Sequence, residues 1–86
     1  MIQKISASIS VELIYDHRQH TVTPRRLFWN GRLFRTTQLG LHHTQHQGQT
    51  LLHFFSVVSQ GLFFKLKLDT DTLHWTLEEI SDGLAN

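Results

Sequence analysis

The sequence contains no cysteine, one proline, two alanines and no long apolar run. Without cysteine the chain can form neither a disulfide framework nor a thiolate zinc site, which fits a reducing compartment. The longest uninterrupted apolar runs have three residues, whereas a membrane-spanning helix needs roughly 20. The first residues also lack the apolar stretch of a signal peptide. These absences predict a soluble, cytoplasmic domain that makes no membrane contact.

Strong helix formers are scarce, with three lysines and three glutamates beside the two alanines. Threonine, valine, isoleucine and aromatic residues are plentiful, which favours strands. A chain of 86 residues is long enough for one small core and too short for two. We therefore expect one β-rich domain over residues 1–86.

The formal net charge of +1 conceals an asymmetry between the two halves of the chain. Residues 1–50 hold six basic and two acidic side chains, a balance of +4, whereas residues 51–86 hold two and five, a balance of −3. This division indicates either an anionic partner for the first half or an attraction between the halves, within one chain or between two copies.

Residues 5–13 alternate between apolar and polar side chains without interruption, and Tyr15 continues the apolar row. Period two over this length predicts a single strand with one solvated face. The polar run over residues 16–20 predicts a loop. Pro24 cannot donate to a sheet ladder, so we expect it at the start of the next strand or on a sheet edge.

The pair Asn30-Gly31 is the strongest local signal, because apolar and aromatic residues flank it on both sides. Asn-Gly is the favoured pair for a two-residue type I′ hairpin. This turn pairs Arg26 with Arg35 and gives the ribbon two faces. One face carries Leu27, Trp29, Phe34 and Arg32, and the other carries Phe28, Leu33, Arg26 and Arg35.

The second half of the chain predicts further strands. The second hairpin strand is expected to continue to about Leu41, and the polar residues 42–49 to form a loop. Strands are expected over residues 51–58 and 62–68. A four-residue turn over 69–72 then pairs Leu68 with Leu73, and the last strand ends near Ile80, before a frayed tail.

The strand over residues 51–58 allows two orientations. A two-residue turn at Gln60-Gly61 places His53, Phe55 and Val57 inward, whereas a three-residue turn with a glycine bulge places Leu52, Phe54 and Val58 inward. We favour the second, because it leaves His53 on the solvated face with the lysines of the next strand.

In either orientation large apolar side chains remain on the other face, and Phe28, Leu33 and Phe63 add to this second apolar surface. A single sheet hides two apolar faces only by curling into a barrel or by meeting another copy. We therefore predict an all-β fold, a single twisted antiparallel meander of about six strands that is partly closed like a barrel. A homodimer would cover the same surface.

The series Pro24, Trp29-Asn30-Gly31-Arg32, an aromatic strand and Trp75-x-Leu77-x-x-Ile80-x-Asp82 resembles a family of small bacterial domains of unknown function. Some members are appended to translesion DNA polymerase-like proteins. The likeness spans roughly residues 11–82, and the middle here is rich in histidine and glutamine where tryptophan is common in that family. The resemblance implies a β-rich fold and an association with DNA repair, and it implies no reaction.

The predicted hairpin interleaves arginines with aromatic rings. Such a ribbon can follow a phosphate backbone with its guanidinium groups and stack bases on exposed rings. A contact between Arg32 and Trp29 would also fit a structural cation–π pair. The candidate nucleic-acid- or anion-binding residues are Arg25, Arg26, Arg32 and Arg35.

The expected pairing of Arg26 with Arg35 places like charges opposite each other, which destabilises a sheet unless an anion lies near them. That anion is a phosphate in one hypothesis. In the other it is a carboxylate of Glu78, Glu79 or Asp82, from this chain or from a second copy.

The seven histidines raise the question of a metal site, which needs three or four converging ligands. Neither histidine-rich stretch is predicted to be helical, so the spacing does not place the rings on one face. We predict no metal or cofactor site, and the sequence leaves open whether a metal binds these residues: His17, His20, His42, His43 and His46.

The sequence holds no G-x-S-x-G, P-loop, H-E-x-x-H or dinucleotide motif. Glu78 and Glu79 are adjacent on a predicted strand and are expected to point to opposite faces, which excludes a carboxylate pair. We therefore predict a non-catalytic binding module for a nucleic acid or for a protein that acts on one. The alternative is a self-associating structural domain whose basic hairpin neutralises the acidic last strand of a second copy.

Overall fold

The computed structural model describes residues 1–83 and shows an all-β chain. Within these residues no helix is long and apolar enough to cross a membrane. The predicted tail beyond Gly83 lies outside the described residues. The strands are β1 (Ile2–Ser8), β2 (Ser10–Asp16), β3 (Thr21–Trp29), β4 (Arg32–Arg35), β5 (Gln38–Gln47), β6 (Thr50–Ser59), β7 (Leu62–Asp69) and β8 (His74–Ser81).

The strands form two antiparallel sheets rather than one. One sheet has five strands in the order β1-β8-β7-β6-β5, and the other has three in the order β2-β3-β4. The prediction of an antiparallel all-β fold is confirmed. The prediction of one six-strand meander that closes like a barrel is wrong, because the chain changes sheet twice and neither sheet closes on itself.

The first change of sheet occurs at Ile9, so the predicted strand over residues 5–13 is two strands. β1 lies beside β8, whereas β2 lies beside β3. The backbone N–H of Ile9 donates to the carbonyl of Trp75 at 3.2 Å, which holds the corner against β8. The alternation survives the corner because Ile5, Ile9 and Val11 all pack against the same core.

The second change of sheet occurs at Thr36 and Thr37, between β4 and β5. The N–H of Thr36 donates to the carbonyl of Arg25 at 2.9 Å, and the N–H of Thr37 donates to that of Val58 at 2.7 Å. The corner is thus hydrogen-bonded to both sheets. The fully buried Ser59 adds a third bond, from its hydroxyl to the carbonyl of Arg35 at 2.6 Å.

The two sheets share one apolar core. Phe34 of the three-stranded sheet contacts Phe64 of the five-stranded sheet, with ring centroids 5.1 Å apart. Aromatic pairs in this range stabilise a core beyond their buried area. The buried cluster consists of Leu27, Phe34, Phe55, Val57, Phe64, Leu66 and Leu77.

The Asn30-Gly31 hairpin has the predicted register. Arg26 pairs with Arg35, Leu27 with Phe34, and Trp29 with Arg32. Asn30 and Gly31 have φ angles of 55° and 75°, as a type I′ turn requires at both central positions. Leu27 and Phe34 consequently face the core, and Phe28 on the opposite face stays 46% exposed.

The preferred orientation of β6 is wrong and the other alternative is observed. Ser59 pairs with Leu62, so the turn at Gln60-Gly61 has two residues and no bulge. Phe55 and Val57 are therefore buried in the core, whereas Phe54 and Val58 are half-buried outside it. Leu52 is also buried, but outside the core cluster.

The predicted turn between β7 and β8 is displaced by one residue. Asp69 pairs with His74, so the turn comprises residues 70–73. The carboxylate of Asp69 accepts a hydrogen bond from the N–H of Asp71 at 2.9 Å, which stabilises the turn. This shift moves the partner of Leu66 by two positions, from Trp75 to another apolar residue, Leu77. A bulge between Lys65 and Leu66 moves the partner of Phe64 by three positions, to Ile80.

The predicted loop over residues 42–49 is wrong, because most of it belongs to β5. This strand pairs with β6 as far as Gln47 and Thr50, and Gly48 with φ of 63° begins the turn. The segment has no apolar alternation because it is the edge of the sheet, where both faces lie largely in solvent.

Replacing Ser59 with alanine tests the second corner. The substitution removes the hydroxyl of the buried Ser59 and leaves the carbonyl of Arg35 without this donor, so we expect a loss of about 1–3 kcal/mol in the free energy of unfolding. Urea unfolding followed by circular dichroism measures it. The control is Ser56→Ala on the same strand, where Ser56 is half-buried. Equal losses in the two variants would contradict the assigned role of Ser59.

Candidate nucleic-acid interface

The outward face of the three-stranded sheet carries two rows of cross-strand neighbours. In one row Arg26 lies between Glu12 and Arg35, and in the next Phe28 lies between Ser10 and Leu33. Rows two residues apart on a strand share a face. Arginine side chains and an exposed aromatic ring therefore occupy the same surface. Arg25, which has no cross-strand partner, joins them, because Pro24 and Leu27 on either side of Arg25 and Arg26 are buried while both arginines reach solvent. We call this surface the basic face and define it by Arg25, Arg26, Arg35, Phe28, Leu33 and Glu12.

Glu12 supplies the carboxylate that the paired arginines need. One of its oxygens accepts hydrogen bonds from Nε of Arg26 at 3.1 Å and from a terminal nitrogen of the same guanidinium. This hydrogen bond, together with the charges of Arg26, Arg25 and Arg35, lowers the pKa of Glu12 below its usual value. Arg26 is the arginine that is hydrogen-bonded to this carboxylate.

The pairing of Glu12 with Arg26 was missed from the sequence. The register between β2 and β3 shifts at a bulge, where Glu12 faces Arg26 but Leu13 faces Pro24. Arg25 is the extra residue of this bulge. A one-residue insertion of this kind changes which side chains meet, and no glycine marks it in the sequence.

The acidic side chains proposed as partners for the hairpin have other partners in the same chain. Glu79 accepts a hydrogen bond from Nζ of Lys4 at 2.7 Å, which raises the pKa of Lys4. Glu78 lies 3.6 Å from Nζ of Lys67, and Asp82 forms an ion pair with the terminal amine of Met1. The last strand is therefore neutralised by β1 and β7 rather than by the hairpin.

Arg32 is separated from the other three candidate arginines. Its guanidinium lies 5.0 Å from the ring centroid of Phe34 and donates to the side-chain oxygen of Gln60 at 3.3 Å. The cation–π partner is therefore Phe34, although the sequence suggested Trp29. This position, at the hairpin tip on the core side, indicates that Arg32 covers the end of the core.

Arg25 and Arg35 are both exposed. Arg25 also borders an open cleft of about 290 Å³ at the second corner, beside Ile14, Thr36 and Leu39. The Thr36 hydroxyl is already used, because it donates to the carbonyl of Pro24 at 2.6 Å. Arg25 thus belongs both to the basic face and to the wall of this cleft, so the cleft adjoins the basic face.

Three of the histidines on β5 and β6 stack against phenylalanine rings or against each other. His42 stacks on Phe55 with centroids 4.2 Å apart, and His43 stacks on Phe54 at 5.1 Å. Nε2 of His42 is also hydrogen-bonded to Nδ1 of His53 at 2.8 Å. Within residues 1–83 no group of three histidine, aspartate or glutamate side chains converges as metal ligands do, and His17 and His20 lie in the turn between β2 and β3.

The pKa of His42 lies below its usual value, chiefly because partial burial disfavours the charged ring and also because His53 and His43 are close. The unfolded chain therefore takes up a proton at a higher pH than the folded chain does. The contribution of His42 to the free energy of unfolding is therefore largest above the unfolded pKa of about 6.5. It is lost as the pH falls below that value toward the lower pKa of the folded state.

We expect His42→Phe to reduce the loss of stability between about pH 7.5 and about pH 5.5, because it keeps the stacked ring and removes the titrating group. Urea unfolding at the two pH values measures the difference. His17→Gln, in the exposed turn between β2 and β3, is the control. An unchanged pH dependence in His42→Phe would contradict this origin.

Comparisons with protein-family models, with curated proteins and with solved structures found no match for this chain. The fold itself defines a class, an antiparallel all-β domain with a five-stranded and a three-stranded sheet. The resemblance to bacterial β-rich domains remains a prediction, and the functional argument depends on the geometry of the basic face.

Proposed function

We propose that this domain is a non-catalytic module that binds single-stranded nucleic acid on the basic face. The observation that carries the proposal is the combination of Arg35 and Arg25, which have no acidic hydrogen-bond partner among the described residues, with the exposed ring of Phe28 on the same sheet. Cations that follow a backbone and rings that stack bases are the two components of sequence-tolerant single-strand binding.

The charge of the basic face favours an anionic ligand. Arg25, Arg26 and Arg35 contribute three positive charges, Glu12 contributes one negative charge, and the balance is therefore +2. Because Glu12 already pairs with Arg26, the other two guanidinium groups remain for phosphates. Arginine presents several N–H donors in a planar group that matches phosphate oxygens.

The exposed ring favours single strands over duplex. Phe28 is 46% exposed and half-buried Leu33 lies opposite it on β4, so an unpaired base can reach the ring face. Stacking of one base on an aromatic side chain contributes about 1–3 kcal/mol. A base inside a duplex is already stacked and presents only its edge.

Binding is favoured over catalysis because the one carboxylate of the basic face, Glu12, is held by Arg26. The likeness to domains appended to translesion DNA polymerase-like proteins supports DNA as the ligand, and a cytoplasmic location would give the domain access to it.

Titration of a fluorescent single-stranded DNA oligonucleotide tests the proposal. Neutralising two or three phosphates predicts an affinity that falls about tenfold between 50 and 200 mM salt. Arg25→Gln and Arg35→Gln should each weaken binding and flatten the salt dependence. Phe28→Ala should weaken binding about fivefold or more at any salt concentration.

The matched control is Arg18→Gln, which removes one exposed arginine from the turn between β2 and β3. An equal effect of Arg18→Gln and Arg35→Gln would show that binding follows net charge rather than the basic face. Absence of binding at 50 mM salt, or tighter binding to duplex than to single strands, would contradict the proposal.

Glu12→Gln makes a prediction of opposite sign. The substitution removes the carboxylate that competes with phosphate for Arg26, so the affinity for the oligonucleotide should increase several-fold and the salt dependence should steepen by one phosphate contact. The same oligonucleotide titration measures the affinity and its salt dependence. An affinity that falls or stays constant in a folded Glu12→Gln variant would argue that Arg26 does not contact the ligand.

A further inference from the structure

The outer edge of β5 has no strand beside it among residues 1–83. β5 is the terminal strand of the five-stranded sheet, and among residues 1–83 it pairs with β6 alone. Its ladder with β6 is continuous from Leu41 to Gln47, because the one irregularity lies before Leu41. An edge strand of this length presents a row of N–H and C=O groups that can pair with another strand.

Over residues 41–47, beyond its bulge before Leu41, the edge of β5 lacks the features that protect the other sheet edges of this protein. Residues 38–50 contain no lysine, arginine, aspartate, glutamate or proline. By contrast, β1 has a bulge and carries Lys4, β2 carries Glu12, and β4 has four residues of which two are arginines. Charges, bulges and short length are the usual means of blocking edge pairing. β5 has ten residues, and over residues 41–47 it has a continuous register and no lysine, arginine, aspartate or glutamate.

The edge is also held in place for pairing. Rings stack across β5 and β6 on both faces of the sheet, with His42 on Phe55 in one pair and His43 on Phe54 in the other. Cross-strand ring pairs stabilise adjacent strands. A strand fixed in this way loses little conformational entropy when a second strand joins it.

We propose that β5 pairs antiparallel with β5 of a second copy of this chain, around a two-fold axis near Thr44, and so joins two five-stranded sheets into one. In such a pair, a residue at the two-fold axis lies opposite the same residue of the second copy. A charged side chain there would be repelled by the identical charge. Residues 41–47 of β5 include no lysine, arginine, aspartate or glutamate that would cause this repulsion, and Thr44 would lie beside its counterpart, with threonine pairs among the favourable cross-strand contacts.

Sedimentation equilibrium of the full chain at neutral pH tests the proposal. We expect a reversible change from the 10.1 kDa monomer to a particle of twice that mass, with a dissociation constant tighter than about 1 mM. Hydrogen exchange measured at high and low protein concentration should show added protection confined to residues 41–47. A monomer throughout, or added protection elsewhere, would overturn the proposal.

Variants of the edge separate this surface from others. Thr44→Lys should raise the dissociation constant roughly fivefold or more, because it places two lysines opposite each other. Gln45→Lys tests the neighbouring position in case the first variant does not fold. Thr44→Val, which stays uncharged, and Gln19→Lys, in the turn between β2 and β3, should dimerise as the original chain does.

The remaining outcomes also decide the matter. A dimer that persists in both folded lysine variants would place the interface elsewhere. Particles larger than two chains would contradict the two-fold pairing, because they require a contact that does not close. Arg25→Gln and Arg35→Gln should leave the dissociation constant unchanged. Failure of nucleic-acid binding is therefore distinguishable from failure of this dimer.

Discussion

Two corners that lead the chain from one sheet to the other determine the structure. At both corners a backbone N–H donates to the five-stranded sheet, from Ile9 to Trp75 and from Thr37 to Val58. At the second corner the N–H of Thr36 also donates to Arg25 of the three-stranded sheet. These bonds give partners to backbone N–H groups at the points where the chain changes sheet. They also set the two sheets against each other, so that Leu27 and Phe34 reach the core that Phe64 and Leu77 form. The basic face is the outer side of this arrangement.

The sequence predicted local features well and long-range ones poorly. The Asn30-Gly31 turn specified its own register, because positive φ at both central residues is a local requirement. The corners at Ile9 and Thr36-Thr37 carry no such mark. Alternation continues through Ile9 since both strands face one core, and β5 has no apolar pattern since it is an edge. Tertiary position, rather than local preference, decided these elements.

The candidate site could be predicted to the same extent. The hairpin register placed Arg26 beside Arg35 correctly, and this pairing implied an anion close by. The identity of the anion depended on the bulge at Arg25, which brings Glu12 into line with Arg26. The same register placed Arg32 on the face of Phe34, apart from Arg26 and Arg35, and its guanidinium lies over that ring. The turn determines which hairpin side chains share a face. It does not determine which residues of β2 lie beside them, because that depends on the bulge.

The pairing of β1 with β8 has a consequence for the order of assembly. Lys4 bonds to Glu79, 75 positions later, whereas β5, β6, β7 and β8 follow one another as hairpins. Contacts between distant parts of a chain carry a large loop-closure cost and slow folding. The hairpins can therefore form early, and the first strand must wait for the last. Until then β8 presents an open side, which makes the partly folded chain most vulnerable to aggregation at that stage.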